Sequence, residues 1–168
     1  MNNKKTTLME DIIRLLIKVT VICVIFVLIF TFIFGIYRAE DDSMKPAIME
    51  GDLVIYFRLD KNYVATDALL IEHEGKKQVR RIVAKEGDII DVSEEGLIIN
   101  GALVQEQYIY HKTLPYVEGI KYPYTIQKNQ VFILGDNRPY SYDSRIYGSV
   151  DANDSEGKIM AVIRRRNI

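Results

Sequence analysis

The chain contains no tryptophan and a single cysteine, Cys23, among 168 residues. One cysteine cannot close an intrachain disulfide or build a cysteine-based metal site. Histidine is almost as scarce. His73 and His111 stand in polar surroundings without metal-ligand spacing, so both read as surface residues and no metal is expected. Neither sign of charge dominates: 22 Lys and Arg face 23 Asp and Glu, a formal net charge of −1, which argues against a nucleic-acid partner. Internal repeats, a phosphate-binding loop and a zinc pattern are missing as well, so no cofactor is expected. The length corresponds to about one domain.

What the sequence does have is one long apolar run. It begins at Ile12, and Val19 to Tyr37 carries no charged residue. As a helix those residues measure about 28 Å, close to the hydrocarbon core of a bilayer. Residues 12–37 therefore read as a transmembrane helix, with Arg14 and Lys18 able to snorkel from its start and Tyr37 placed as an interfacial anchor. A cleaved signal peptide fits less well. Its apolar region is shorter, and Gly35-Ile36-Tyr37-Arg38-Ala39 is a poor cleavage site. Residues 1–11 are polar and read as an irregular cytoplasmic tail. Lys4, Lys5, Arg14 and Lys18 outnumber Glu10 and Asp11, which puts the N-terminus in the cytoplasm and the main domain, 38–168, outside a single-pass cell-membrane protein. An exported domain without disulfides suits a Gram-positive surface.

After the apolar run the pattern is β. Asp52–Phe57, Leu69–His73, Gln78–Ala84, Ile89–Val92, Gly96–Gly101, Gln130–Leu134 and Lys158–Ile163 are short segments rich in β-formers and bounded by turn residues. Glu74-Gly75 and Asn100-Gly101 read as hairpin turns. The expected fold class is mainly β: an antiparallel extracytoplasmic domain behind one helix. Residues 105–129 are tyrosine-rich, contain Pro115 and Pro123 and have no clear period. They read as a variable cap whose tyrosines either pack or line a partner surface. Arg164-Arg165-Arg166 reads as solvated or in contact with lipid headgroups.

Four ordered blocks carry a resemblance. Ser43-Met44-Lys45-Pro46 lies just beyond the apolar run. Gly51-Asp52-Leu53-Val54, Arg80-Arg81-Ile82-Val83-Ala84-Lys85-Glu86-Gly87-Asp88 and Gly135-Asp136-Asn137-Arg138-Pro139-Tyr140-Ser141-Tyr142-Asp143-Ser144-Arg145 follow in order. Together they resemble the type I signal peptidases, membrane serine proteases that use a Ser–Lys dyad to remove signal peptides. The resemblance implies Ser43 at the nucleophile position, Ser141 as the hydroxyl that holds the catalytic lysine, and Asp143 with Arg145 as a pair bracing the site. It also implies a groove at Glu40, Met44 and Val79 that takes an extended segment beside a strand edge.

Two positions depart from the family pattern. Arg80 stands where the catalytic lysine belongs, and Asp41 where the family's Gram-negative members carry an oxyanion-side serine. A serine hydroxyl needs a base to take its proton. A buried lysine can become one, but a guanidinium stays protonated. Nor do nearby lysines fill the gap. Lys45 occupies a variable position expected on the same local strand face, and Lys85 is about 16 Å along the strand from residue 80. Asp41 brings negative charge where an oxyanion would need donors. The Asp143–Arg145 pair then reads as an ordinary turn fastener. The expectation is a proteolytically inactive pseudoenzyme, similar to signal-peptidase-like proteins of Gram-positive pilus gene clusters that serve pilin polymerisation. By resemblance its partners are pilin subunits and their sortase, and Glu40, Asp41 and Asp42 favour a basic bound segment. The alternatives are an active signal peptidase and a decoy that binds signal peptides without cutting.

Overall fold

A computed structural model describes residues 2–164, and side chains from Leu8 onward. Helix α1 (Asn2–Leu28) runs into one π turn (Ile29–Ile33). Its stretch Leu8–Ile33 contains an 18-residue window with a mean hydropathy of 2.9 and is long and apolar enough to cross a membrane. Two sequence expectations change here. The polar first residues continue the helix rather than forming an irregular tail, and the helical path stops before Tyr37. The last part of the apolar run is instead strand β1 (Phe34–Arg38). Hydropathy does not distinguish a lipid-facing helix from an apolar strand, and the β-branched and aromatic content of this run suits both.

The rest of the chain forms two antiparallel sheets. The larger has the order β1-β2-β11-β3-β4-β9-β10 and the smaller β7-β6-β5-β8. In chain order the strands are β2 (Leu53–Phe57), β3 (Ala68–His73), β4 (Lys76–Lys85), β5 (Ile89–Ser93), β6 (Gly96–Ile99), β7 (Ala102–Leu103), β8 (Tyr124–Thr125), β9 (Gln130–Leu134), β10 (Val150–Asp151) and β11 (Ser155–Ile163). The β3–β4 hairpin closes through Glu74 and Gly75, at φ 52° and 75°, the left-handed pair that a tight two-residue turn requires. Its register sets Leu70 opposite Val79 and Leu69 opposite Arg80.

Three apolar clusters support this frame. Val83, Ala84, Ile90, Val92, Leu97, Ile126, Phe132 and Leu134 join the small sheet to β4 and β9. Tyr63, Leu69, Ile71, Ile82, Val131 and Ile133 form a second cluster. The third, with Ala39, Met44, Ile48, Val54, Leu70 and Val79, anchors the turn that carries Ser43. Met44 and Val79, expected as groove walls, are therefore core residues, 2% and 5% exposed. Apolar side chains beside a polar site lower their free energy most by packing beneath it.

Candidate active site

Ser43 sits in a turn between β1 and β2, not on a strand. Asn137 fastens that turn: its N–H donates to Ser43 O at 2.8 Å and its side-chain amide to Asp42 O at 3.1 Å. Arg164 grips the other side, donating to Asp52 at 3.0 Å and to the carbonyls of Pro46 and Ala47 at 3.1 and 3.0 Å. Arg164 is thus a structural clasp rather than a free cation, while Arg165 and Arg166 lie outside the described residues. Lys45, expected on a strand face with Ser43, belongs to the turn, and its ammonium pairs with Asp42 at 2.7 Å, holding that carboxyl below its ordinary value.

Arg80 reaches this turn from β4. Its side chain is 2% exposed, and its donors are committed. Nη1 donates to Ser43 Oγ and to Val79 O, both at 2.6 Å. Nε and Nη2 donate to Tyr142 O at 3.1 and 3.0 Å. The neighbouring Arg81 pairs with Asp136 at 2.7 and 2.6 Å, since successive strand residues point to opposite faces.

Asp41 completes the arrangement in a way the sequence did not suggest. Its Oδ1 accepts the Ser43 hydroxyl in a short hydrogen bond and also the Ser43 backbone N–H at 3.0 Å. The hydroxyl therefore does have a proton acceptor, a carboxylate rather than an amine. An aspartate is a much weaker base than a free lysine amine. The same oxygen covers the nucleophile's own N–H, the group that acyl-transfer enzymes aim at the developing oxyanion. Acceptor and oxyanion donor thus compete for one place. Arg80 adds a donor to the lone pairs that would have to attack.

The residues to which the resemblance gives supporting roles are gathered around this centre. Ser141 Oγ is buried and has no partner among the described residues. A buried hydroxyl without a hydrogen bond calls for an explanation. Here the resemblance gives it a lysine amine as partner, and Arg80 is instead committed to Tyr142 and Ser43. Gly135 lets the two serines approach, because a Cβ there would fall 2.1 Å from Ser141 Oγ and 2.6 Å from Ser43 O. Gly135→Ala is expected to cost about 1–3 kcal/mol by overpacking, checked by chemical unfolding.

Asp143 and Arg145 are not the exposed turn fastener expected from sequence. Both are buried and joined by two bonds of 2.9 Å. Asp143 also accepts Gly135 N–H at 3.1 Å, and Arg145 Nη2 donates to Arg138 O at 2.6 Å. Burial opposes the Arg145 charge, but the Asp143 carboxylate more than compensates and holds the guanidinium above its ordinary value. The cap locks onto this brace. Tyr116 donates to Ser141 O at 2.9 Å while its ring lies 4.6 Å from the Arg145 guanidinium. Glu106 pairs with the fully buried Arg138 at 2.6 Å. Tyr108 and Tyr110 remain exposed.

A cleft of about 640 Å³ opens beside Ser43, lined in part by Glu40, Asp41, His73, Gln78, Arg80 and Tyr142. His73, expected at the surface, stacks on Tyr147 at 4.0 Å. No local signal marked it, because its partner is remote along the chain. Burial first, then the carboxylates of Glu40 and Asp41, push the Tyr37 phenol up to about 12. It stays neutral and donates to Lys77 O at 2.9 Å. A second serine–lysine contact, Lys61 Nζ to Ser155 Oγ at 3.1 Å, lies elsewhere. There the Ser155 hydroxyl donates to Ala152 O at 2.7 Å, a strap rather than a nucleophile. Among the described residues no cluster of three or more His, Cys, Asp or Glu could hold a metal.

Comparison with known proteins gives the family. The family model described as signal peptidase, peptidase S26, matches residues 12–164. A signal peptidase I of Bacillus caldolyticus is 30% identical over 142 residues, covering 76% of this chain and 78% of the relative. Signal peptidase IB of Staphylococcus aureus (strain COL) is 27% identical over 173 residues, covering 89% and 88%. The crystal structure of a signal peptidase I from Enterococcus faecalis V583 superposes with a TM-score of 0.51 at 23% identity. It covers 60% of this chain and 97% of that one, a likeness of fold alone. The helix and these relatives point to a single membrane pass. With its S26 match running from the membrane helix to the end of β11, the chain belongs to the signal peptidase I family.

Proposed function

We propose that this chain is a proteolytically silent family member that acts as a binding, chaperone-like factor in pilin polymerisation at the cell surface. Its N-terminus lies in the cytoplasm and its β domain outside. Its partners on this reading are pilin subunits and their sortase. The observation that carries the proposal is the double engagement of Ser43. Its hydroxyl is held between Arg80 Nη1 and Asp41, and its backbone N–H is taken by the same carboxylate. A cleft lies beside Ser43, and an extended segment can bind beside a strand edge without any chemistry. The pilus assignment rests on resemblance to pilus-cluster proteins that keep the motif blocks and alter the dyad.

One observation favours the alternative, an active signal peptidase: the Ser43 hydroxyl has a carboxylate to receive its proton. The two readings separate in one experiment. A strain lacking the native copy receives wild-type protein or Ser43→Ala, and both pilus assembly and preprotein cleavage are followed. Unchanged assembly with Ser43→Ala is expected. Cleavage by the wild type that disappears in the variant establishes the alternative.

A further inference from the structure

We infer that the cleft beside Ser43 takes a cationic side chain, lysine or arginine, from an extended segment of the bound partner. The inference rests on the reading of this cleft as a binding site that does not cut.

The argument starts from which charges are already spent. On the basic side of the lining, Lys77 is tied to Glu156 at 2.7 Å. Arg80 is committed to Ser43, Val79 and Tyr142. Only Lys76 is left of the lining cations. On the acidic side, Glu40 and Glu74 are exposed and enter no hydrogen bond or ion pair among the described residues. Asp41 uses Oδ1 for Ser43, while its Oδ2 lies 3.9 Å from Arg80 Nη2, beyond hydrogen-bond reach. Its side chain is 56% exposed. Arg80 hydrogen-bonds only neutral groups, so its charge balances Asp41, and two unpaired carboxylates, Glu40 and Glu74, face one free cation, Lys76. Asp42, the third acid expected here from sequence, is turned away into its pair with Lys45.

The lining also carries aromatic rings. Tyr142, partly exposed, lies with His73 and Tyr147 in one ring cluster, at centroid separations of 6.2 Å to His73 and 5.3 Å to Tyr147. His73 Nε2 has no partner among the described residues. A cleft lined by unspent carboxylates and by tyrosine matches a cation with an alkyl stem. It suits an acidic side chain poorly, and a purely apolar one leaves the carboxylates unpaired.

The test uses the full-length protein in detergent micelles with fluorescein-labelled nine-residue peptides of alanine and glycine. Their central residue is lysine, norleucine or glutamate, and binding is read by fluorescence anisotropy. The lysine peptide is expected to bind about tenfold tighter than the norleucine peptide, the order of one charge-assisted hydrogen bond, and glutamate most weakly. The double substitution Glu40→Gln, Asp41→Asn keeps the acceptor for the Ser43 N–H and is expected to bring lysine and norleucine within about twofold. Lys76→Gln removes the competing cation and should strengthen the lysine peptide. Equal behaviour of the lysine and norleucine peptides, including no binding by either, overturns the inference, as does a preference that survives the double substitution. If Ser43→Ala still supports pilus assembly in that case, this inference alone falls. Serine-dependent preprotein cleavage would remove the reading beneath it.

Discussion

Replacing Arg80 by lysine and Asp41 by serine together is expected to raise preprotein cleavage by at least about 10²-fold over either single variant, because each change supplies only one half of the reaction. A lysine at residue 80 would occupy a position that is 2% exposed. Desolvation there lowers an amine's pKa toward neutrality, and the partnerless Ser141 hydroxyl is the group that would hold it. Such a base is worth about 10²–10⁴-fold. With Asp41 still present, however, its carboxylate keeps the Ser43 N–H, and a missing oxyanion donor costs about 10²–10³-fold. Asp41→Ser alone frees the donor but leaves a guanidinium against the hydroxyl. Cleavage by the double variant should increase with pH, since only the uncharged amine accepts a proton, and should vanish when Ser43→Ala is added. Purified variants incubated with a preprotein give the measurement. A double variant no faster than the singles would mean that these two side chains do not limit cleavage.

Asp143→Ala is expected to destabilise the domain by about 3–5 kcal/mol, because it strands a buried guanidinium without its partner. Arg145 has no route to solvent, and Gly135 N–H loses its acceptor in the same step. The change should lower the denaturant midpoint steeply. Asp143→Asn, which can still accept from Gly135, should fall between the two. Removing the solvent-facing Asp42–Lys45 pair should move the midpoint little, as exposed pairs do. Similar losses at both positions would show that burial is not what gives the brace its value.

The features legible in the sequence were those with a local signature. Strand β9 was marked at both ends by its composition, and the Glu74-Gly75 and Asn100-Gly101 turns by residues that tolerate left-handed backbone. The four motif blocks located Ser43, Arg80, Ser141, Asp143 and Arg145, and the fold brings these together. Most of what escaped depends on contacts between distant segments. β1 is a strand because β2 lies alongside it, Phe34 opposite Phe57 and Arg38 opposite Leu53; nothing in its own residues distinguishes it from the end of the helix. Arg164 looked like part of a terminal basic run until Asp52 and the 46–47 carbonyls gathered around it. Asp41 was read as an intruder on the oxyanion side alone. Its grip on the hydroxyl follows from the local turn, which composition does not encode.

The entry of α1 into β1 has a mechanical corollary. Between Ile33 and Phe34 there is no linker residue at all, and β1 covers only about 17 Å before the chain turns toward Ser43. If the helix is embedded in a bilayer, the domain rides on a tether without slack, and the height of its cleft above the lipid is set by one short strand. Any segment that enters the cleft would have to do so within that thin layer, close to the lipid surface.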